Sequence, residues 1–195
     1  MTEIWNVFTA FGLSSSAGLN AYLPLLVVAL LARFTDLIKL DDPWTALTNV
    51  WVIGLLVVLL VVETVADKVP AVDTINDTIQ TFVRPVAGAI LFAASSNVIS
   101  DIHPALALAC GLFVAGGVHA VKATARPLIT ATTAGVANPV VSTVEDAVAL
   151  ATSLVAVLAP MILALAMLLA AVTIAWWLRA RQREREARAR QPRDV

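Results

Sequence analysis

Glu63 and Asp67 stand four residues apart, which sets two carboxylates on one face of a helix. Like charges so placed repel unless a cation or a basic partner lies between them, or one carboxyl is protonated. His119, Lys122 and Arg126 form a basic row with the same helical logic, at steps of three and four residues. The simplest arrangement sets the acidic end of one helix against the basic end of another. Around this pair of rows the sequence offers further polar candidates for one site. They are Asn20, Tyr22, Lys68, Asp73, Asp77, Arg84, Asn138, Ser142, Glu145 and Asp146. Mixed acid and base suits the binding of an anion or zwitterion with proton coupling, or of a lipid headgroup, better than a simple cation pore.

Other chemistries find little support. The two histidines, His103 and His119, fall on different segments, and the lysine and arginine neighbours argue against a dedicated divalent metal site. No Ser-His-Asp order, HExxH, glycine-rich phosphate loop or CxxC occurs, so neither catalytic residues nor a cofactor is expected. A single cysteine, Cys110, excludes an internal disulfide.

These charges matter because of their surroundings. The chain is 59% hydrophobic, with a mean hydropathy of +0.87 and only 14% charged residues. No charge occurs between Val50 and Val62, between Ala105 and Val118, or between Ala147 and Leu178. Such a chain is an integral membrane protein, in which ionisable groups near hydrocarbon are function candidates by default. The expected fold is an all-α polytopic bundle of five spans, or alternatively six, within residues 1–178. The spans run at about Gly18–Ala32, Trp51–Ala66, Arg84–Ser96, Pro104–Val121 and Glu145–Leu178, the last divided by Pro160. Gly12 to Ser16 reads as a break before the first. Ala71–Ile79 reads as a short interfacial helix, and Pro127–Val141 as an irregular or re-entrant segment. The plainer reading of Ser142 and Glu145 is a capping box opening the last helix, with Asn138-Pro139 as an earlier start. Ala107, Gly111 and Ala115 make a small-residue stripe for close helix packing, within the bundle or between subunits of a homo-oligomer.

Residues 179–195 carry seven arginines beside Trp176 and Trp177. They read as a disordered cytoplasmic tail that orients the chain in the inner or plasma membrane, and not as a nucleic-acid site. On this topology the N-terminus lies outside and Arg33 and Lys39 inside. The partners expected are membrane lipids, a small solute or lipid headgroup, and a second copy of the chain. An offset of 54 residues lays Lys68 on Lys122 and Arg84-Pro85 on Asn138-Pro139, which reads either as a duplicated helical hairpin or as chance similarity in a biased composition. The bland alternative for the charges is a set of structural ion pairs in a scaffold or assembly protein. A further rival is an intramembrane lipid-modifying enzyme with a carboxylate or His119 as acid or base.

Five segments in order resemble one family: Gly18-Leu19-Asn20-Ala21-Tyr22-Leu23-Pro24, Glu63-x-x-x-Asp67-Lys68-x-Pro70-x-x-Asp73-x-x-x-Asp77, Arg84-Pro85-x-x-Gly88, His119-x-x-Lys122-x-x-x-Arg126 and Asn138-Pro139-x-x-Ser142-x-x-Glu145-Asp146. The family is a bacterial one of small integral membrane proteins catalogued as a domain of unknown function. The resemblance spans roughly Gly12 to Pro160. It implies a membrane protein that gathers these residues in one site, and it implies no activity.

Overall fold

A computed structural model describes residues 2–67, 70–96 and 103–190. Among these residues the fold is all helical, as the charge pattern requires, because in hydrocarbon each backbone amide must be bonded within the chain. The helices are α1 (Thr2–Leu19), α2 (Tyr22–Phe34), α3 (Val50–Ala66), α4 (Pro70–Ser96), α5 (Pro104–Thr133), α6 (Asn138–Leu158) and α7 (Pro160–Arg190), with a 3-10 turn at Trp44–Thr48. The window Thr78–Ser95 of α4, and α5 and α6, are long and apolar enough to cross a membrane; α2 and α3 are shorter apolar helices.

The centre of the bundle is α1, packed against α4, α5 and α6. Its Gly12–Ser16 stretch, expected to break the chain, is helix interior. The reason is that its hydroxyls find partners across helix interfaces. Ser14 donates to the Gly88 carbonyl (2.9 Å), Ser16 bonds Ser153 (2.8 Å) and Thr9 donates to the Ala156 carbonyl (2.8 Å). The expected first span, Gly18–Ala32, is therefore two helices that meet at Asn20 and Ala21. They turn back on each other: Trp5, Asn6 and Thr9 of α1 share one surface depression with Leu37, Ile38 and Lys39, which follow α2. This sets the N-terminal end and Lys39 at the same end of the bundle, where the sequence suggests opposite sides.

Other boundaries also move. The short helix at Ala71–Ile79 and the span from Arg84 are one continuous α4, with Pro85 inside it. Helix α5 runs past Val121 and through Pro127 to Thr133, so most of the segment expected to be irregular is helix. It stops at Ala134 (φ 49°) and Gly135 (φ 81°), two left-handed residues that turn the chain into α6. Helix α6 starts at Asn138, so Ser142 and Glu145 lie inside it and cap nothing. At the other end Pro160 separates α6 from α7 instead of kinking one helix. Helix α7 continues through Arg179 to Arg190, where the sequence suggests a disordered tail.

The small-residue stripe packs inside the bundle. A Cβ on Gly111 would sit 2.3 Å from the Gly88 carbonyl oxygen, and one on Gly88 would sit 2.3 Å from the Ala115 Cβ. Backbones of α4 and α5 therefore touch, which only glycine allows at these positions. This crossing fixes the register that places Thr81 and Arg84 beside His119. The 54-residue offset matches the starts of α3 and α5. The second arms part company, because α3 ends at Ala66 whereas α5 runs on to Thr133.

Candidate functional site

Four elements deliver charge to one buried region. The last turn of α3 brings Glu63, and Asp67 follows at its C-cap. Helix α4 brings Arg84, α5 brings His119, Lys122 and Arg126, and α6 brings Ser142, Glu145 and Asp146. The α1–α2 junction adds Asn20. Depth follows from α6, whose 21 residues are long enough to cross. Ser142 to Asp146 lie four to eight residues into it, about 6–12 Å from its end at about 1.5 Å per residue.

The network has two lobes. In the first, Arg84 donates through Nη2 to Glu63 Oε1 (3.0 Å), and its Nη1 lies 3.0 Å from His119 Nδ1. A guanidinium can only donate, so Nδ1 is the acceptor and the ring hydrogen lies on Nε2, which meets the Thr81 hydroxyl at 3.1 Å. Arg84 and Thr81 thus hold the His119 ring in one orientation. Arg84 and Glu63 are 0% and 1% exposed.

In the second lobe, the Arg126 Nη2 donates to Glu145 and to the Ser142 hydroxyl, both at 2.7 Å, and lies 3.6 Å from Asp67. The Lys122 ammonium has three acceptors around it. These are Glu145 at 2.9 Å, Asp67 at 3.9 Å and the Leu19 carbonyl at 3.1 Å. That carbonyl ends α1, where the helix dipole favours a cation. The arrangement suggested by the residue spacing, the acidic end of α3 against the basic row of α5, is thus present at Asp67. Asn76 adds a hydrogen bond to Asp67 (2.8 Å).

Asn20 joins the two broken helices to this lobe. Its side-chain oxygen accepts from the amides of Tyr22 and Leu23, the opening turn of α2, both at 3.0 Å. Its amide nitrogen donates to Asp146 (2.8 Å). The break in the helix is stabilised by a side chain that also holds a carboxylate.

A family model described as "Domain of unknown function (DUF4126)" matches residues 7–180. The chain belongs to this family. No curated protein and no solved structure is similar enough to match. Membership in DUF4126 agrees with the resemblance read from the five sequence segments and names no reaction.

The other sequence candidates fall as follows. Asn138 is buried and clasps Thr130 across the α5–α6 turn (3.0 Å), so it shapes the turn and touches no charge among the contacts described. Tyr22 lies close to Glu63, Gln80 and Arg84 of the first lobe. Lys68 lies outside the described residues. Asp73 and Asp77 lie on the first turns of α4, and their side chains are outside the described set. Among the described residues no group of three or more His, Cys, Asp or Glu side chains is placed to hold a metal ion.

Gln80, Asn76 and Thr81 are members of the site that reasoning from charge passes over. The i, i+4 spacing of Asn76, Gln80 and Arg84 carried the signal, masked by the more conspicuous Asp73 and Asp77. Each buried arginine is followed by a proline inside its helix, Arg84-Pro85 and Arg126-Pro127. A proline supplies no amide to the carbonyl four residues earlier, so both helices lose one rung beside the site.

Proposed function

We propose that this member of DUF4126 is a membrane transporter or channel-like protein whose buried network binds and passes a small polar or charged solute, with proton movement coupled to it. The observation that carries the reading is the broken helix. Asn20, at the tip of the α1–α2 hairpin, lies 2.8 Å from Asp146 in a region that holds four carboxylates and three cations among the described side chains. Irregular backbone at membrane depth is tolerated where it lines a site, and discontinuous helices that meet at a buried polar centre are a recurrent design of transporters. A bundle needing only rigidity gains little from such a set, because apolar packing of the same volume is at least as stabilising.

On this reading the Arg-rich C-terminal end is cytoplasmic and the protein sits in the inner or plasma membrane. The full chain, reconstituted in vesicles loaded with a pH-sensitive dye, would be offered a panel of small anions, zwitterions and amines. The expected result is a pH change that depends on one solute class and is lost in Asp146→Asn. No solute-dependent change, or an equal one in Asp146→Asn, would refute the reading.

One observation favours a second reading, a scaffold locked by ion pairs. Arg84, Lys122 and Arg126 each have a carboxylate partner within 3.0 Å. A scaffold would answer charge removal with lost stability, and it would move no solute.

A further inference from the structure

A cavity of about 640 Å³ opens where α2 ends and α3 begins, and Arg33, Asp42, Thr45, Thr48, Asn49 and Trp51 are among the residues that line it. It is remote from the buried network. Arg33 lies about 16 Å along α2 from Tyr22, and Val50 about 20 Å along α3 from Glu63, at about 1.5 Å per residue. The cavity carries a cation and an anion that do not pair. Arg33 Nη1 donates to the Thr48 carbonyl (2.6 Å), and the guanidinium carbon stands 5.7 Å from the centre of the Phe34 ring. Asp42 accepts from the Thr45 hydroxyl. Neither charge forms an ion pair with the other or with any described residue. Neutral neighbours hold both in place. A guanidinium has five N–H donors and a carboxylate about four acceptor sites, so each keeps capacity for a ligand.

The setting is the edge of the apolar layer. Residues 22–32 carry no charge and neither do residues 43–62, so Arg33 and Asp42 are the charges that flank the two apolar helices. Phe34 and Trp51 beside them are 73% and 85% exposed, the place that aromatic residues take at headgroup level. Trp51 also joins the cavity to an apolar surface. It lines the cavity, and it heads a row on one face of α3 with Leu55 and Val58, at steps of four and three residues, all of them exposed. The connecting loop sets the cations Arg33 and Lys39 against the acids Asp36, Asp41 and Asp42, so an anionic lipid gains no net attraction there.

We propose that this cavity binds a phospholipid whose headgroup carries a primary ammonium, with the phosphate on Arg33, the ammonium on Asp42 and an acyl chain along Trp51, Leu55 and Val58. Opposite charges that share a cavity without touching match a zwitterion whose own charges are held apart by a short linker. A guanidinium takes phosphate at two points, which fixes the orientation of the headgroup. Asp42 selects the amine, because a primary ammonium offers three N–H donors and a quaternary one offers none. Such a site stands whether the buried network moves a solute or locks a scaffold.

The test titrates the full chain in detergent micelles with dioleoyl phosphatidylethanolamine, phosphatidylcholine and phosphatidylglycerol, and reads bound lipid by native mass spectrometry. Phosphatidylethanolamine is expected to bind at least about threefold more tightly than either of the others, the ratio that one solvent-exposed charged contact supplies. Arg33→Gln is expected to weaken the ethanolamine and choline lipids alike, by about threefold or more. Asp42→Asn keeps an acceptor for the Thr45 hydroxyl and loses the charge. It is expected to abolish the preference for the ethanolamine lipid and to leave phosphatidylcholine binding unchanged. Asp36→Asn, on the same loop but outside the cavity lining, is expected to change nothing. Equal binding of the ethanolamine and choline lipids by the native chain would overturn the proposal. Tightest binding of phosphatidylglycerol would also overturn it, because the loop would then be a general patch for anions. So would a preference that survives Asp42→Asn, or one lost equally in Asp36→Asn. Glycerophosphoethanolamine, the headgroup without its chains, tests the source. Competition as strong as that of the lipid would make the occupant a free solute and would overturn the proposal.

Discussion

Glu63→Gln probes the most deeply buried pair. The Arg84–Glu63 contact is 3.0 Å long with side chains 0% and 1% exposed, so water cannot replace a lost partner. Removing one member of such a pair costs about 3–5 kcal/mol, because the other charge stays buried. Glutamine keeps an oxygen that can accept from Arg84 Nη2, and His119 still receives Nη1. A hydrogen bond to a charged donor returns about 1.5–3 kcal/mol of the loss. The expected net destabilisation is therefore about 1–3 kcal/mol. Arg84→Met alone should cost about 3–5 kcal/mol, since it strands the carboxylate. The double variant removes both members of this ion pair together, so it should be more stable than the sum of the singles by at least about 1 kcal/mol. Reversible unfolding in mixed micelles, taken through all four corners of the cycle, measures this coupling. A coupling below about 0.5 kcal/mol would refute the reasoning, because it would mean that Glu63 and Arg84 are independently solvated. Flux measured on the same four proteins separates the roles. A site loses flux in Glu63→Gln even where the double variant restores stability.

Glycine 111 tests the helix crossing: Gly111→Ala should lower stability by about 1–3 kcal/mol, whereas Gly54→Ala, with nothing within 4 Å, should stay within about 0.5 kcal/mol by the same unfolding assay. Ser16→Val removes the bonds to Ser153 and the Ala149 carbonyl, and should cost about 0.5–1.5 kcal/mol, with larger losses pointing to misassembly of α1. Asn49 caps α3 by accepting from the Trp51 amide, so Asn49→Ala should cost about 0.5–2 kcal/mol, measured as a fall in melting temperature. A cysteine placed after Arg190 in a Cys110→Ser background should react with an impermeant thiol reagent only after cells are opened, and labelling of intact cells would reverse the orientation.

The charged residues were legible because charge in an apolar chain is conspicuous, and the energetic cost of burying it forces acids and bases together. Asp67 with Lys122 and Arg126 follows from that cost; Glu63 pairs instead with Arg84 of α4, a partner that the residue spacing did not single out. Boundaries were less legible for the same reason. Lys122 and Arg126 read as the end of a span, yet α5 continues past them because Glu145 and Asp67 neutralise them inside the bundle. The stretch from Gly12 to Ser16 read as a break because serine and glycine favour loops in water. In a bundle their small size and their hydroxyl bonds to neighbouring backbones favour close packing instead. Ser142 and Glu145 have capping-box spacing, but the guanidinium of Arg126 claims both. Gln80 escaped notice because an uncharged amide carries no signal until its burial is known.

The position of α1 has a consequence for how the protein reaches its membrane. This helix precedes α4 and α6 in the chain, yet it is not among the helices apolar enough to cross by length and composition. The carbonyls that receive Ser14 and Thr9, Gly88 and Ala156, and the Ser153 hydroxyl that meets Ser16, belong to α4 and α6, which leave the ribosome much later. Until then the hydroxyls of α1 are better served by water than by lipid. Helix α1 can thus complete its hydrogen bonds only after α4 and α6 have been made.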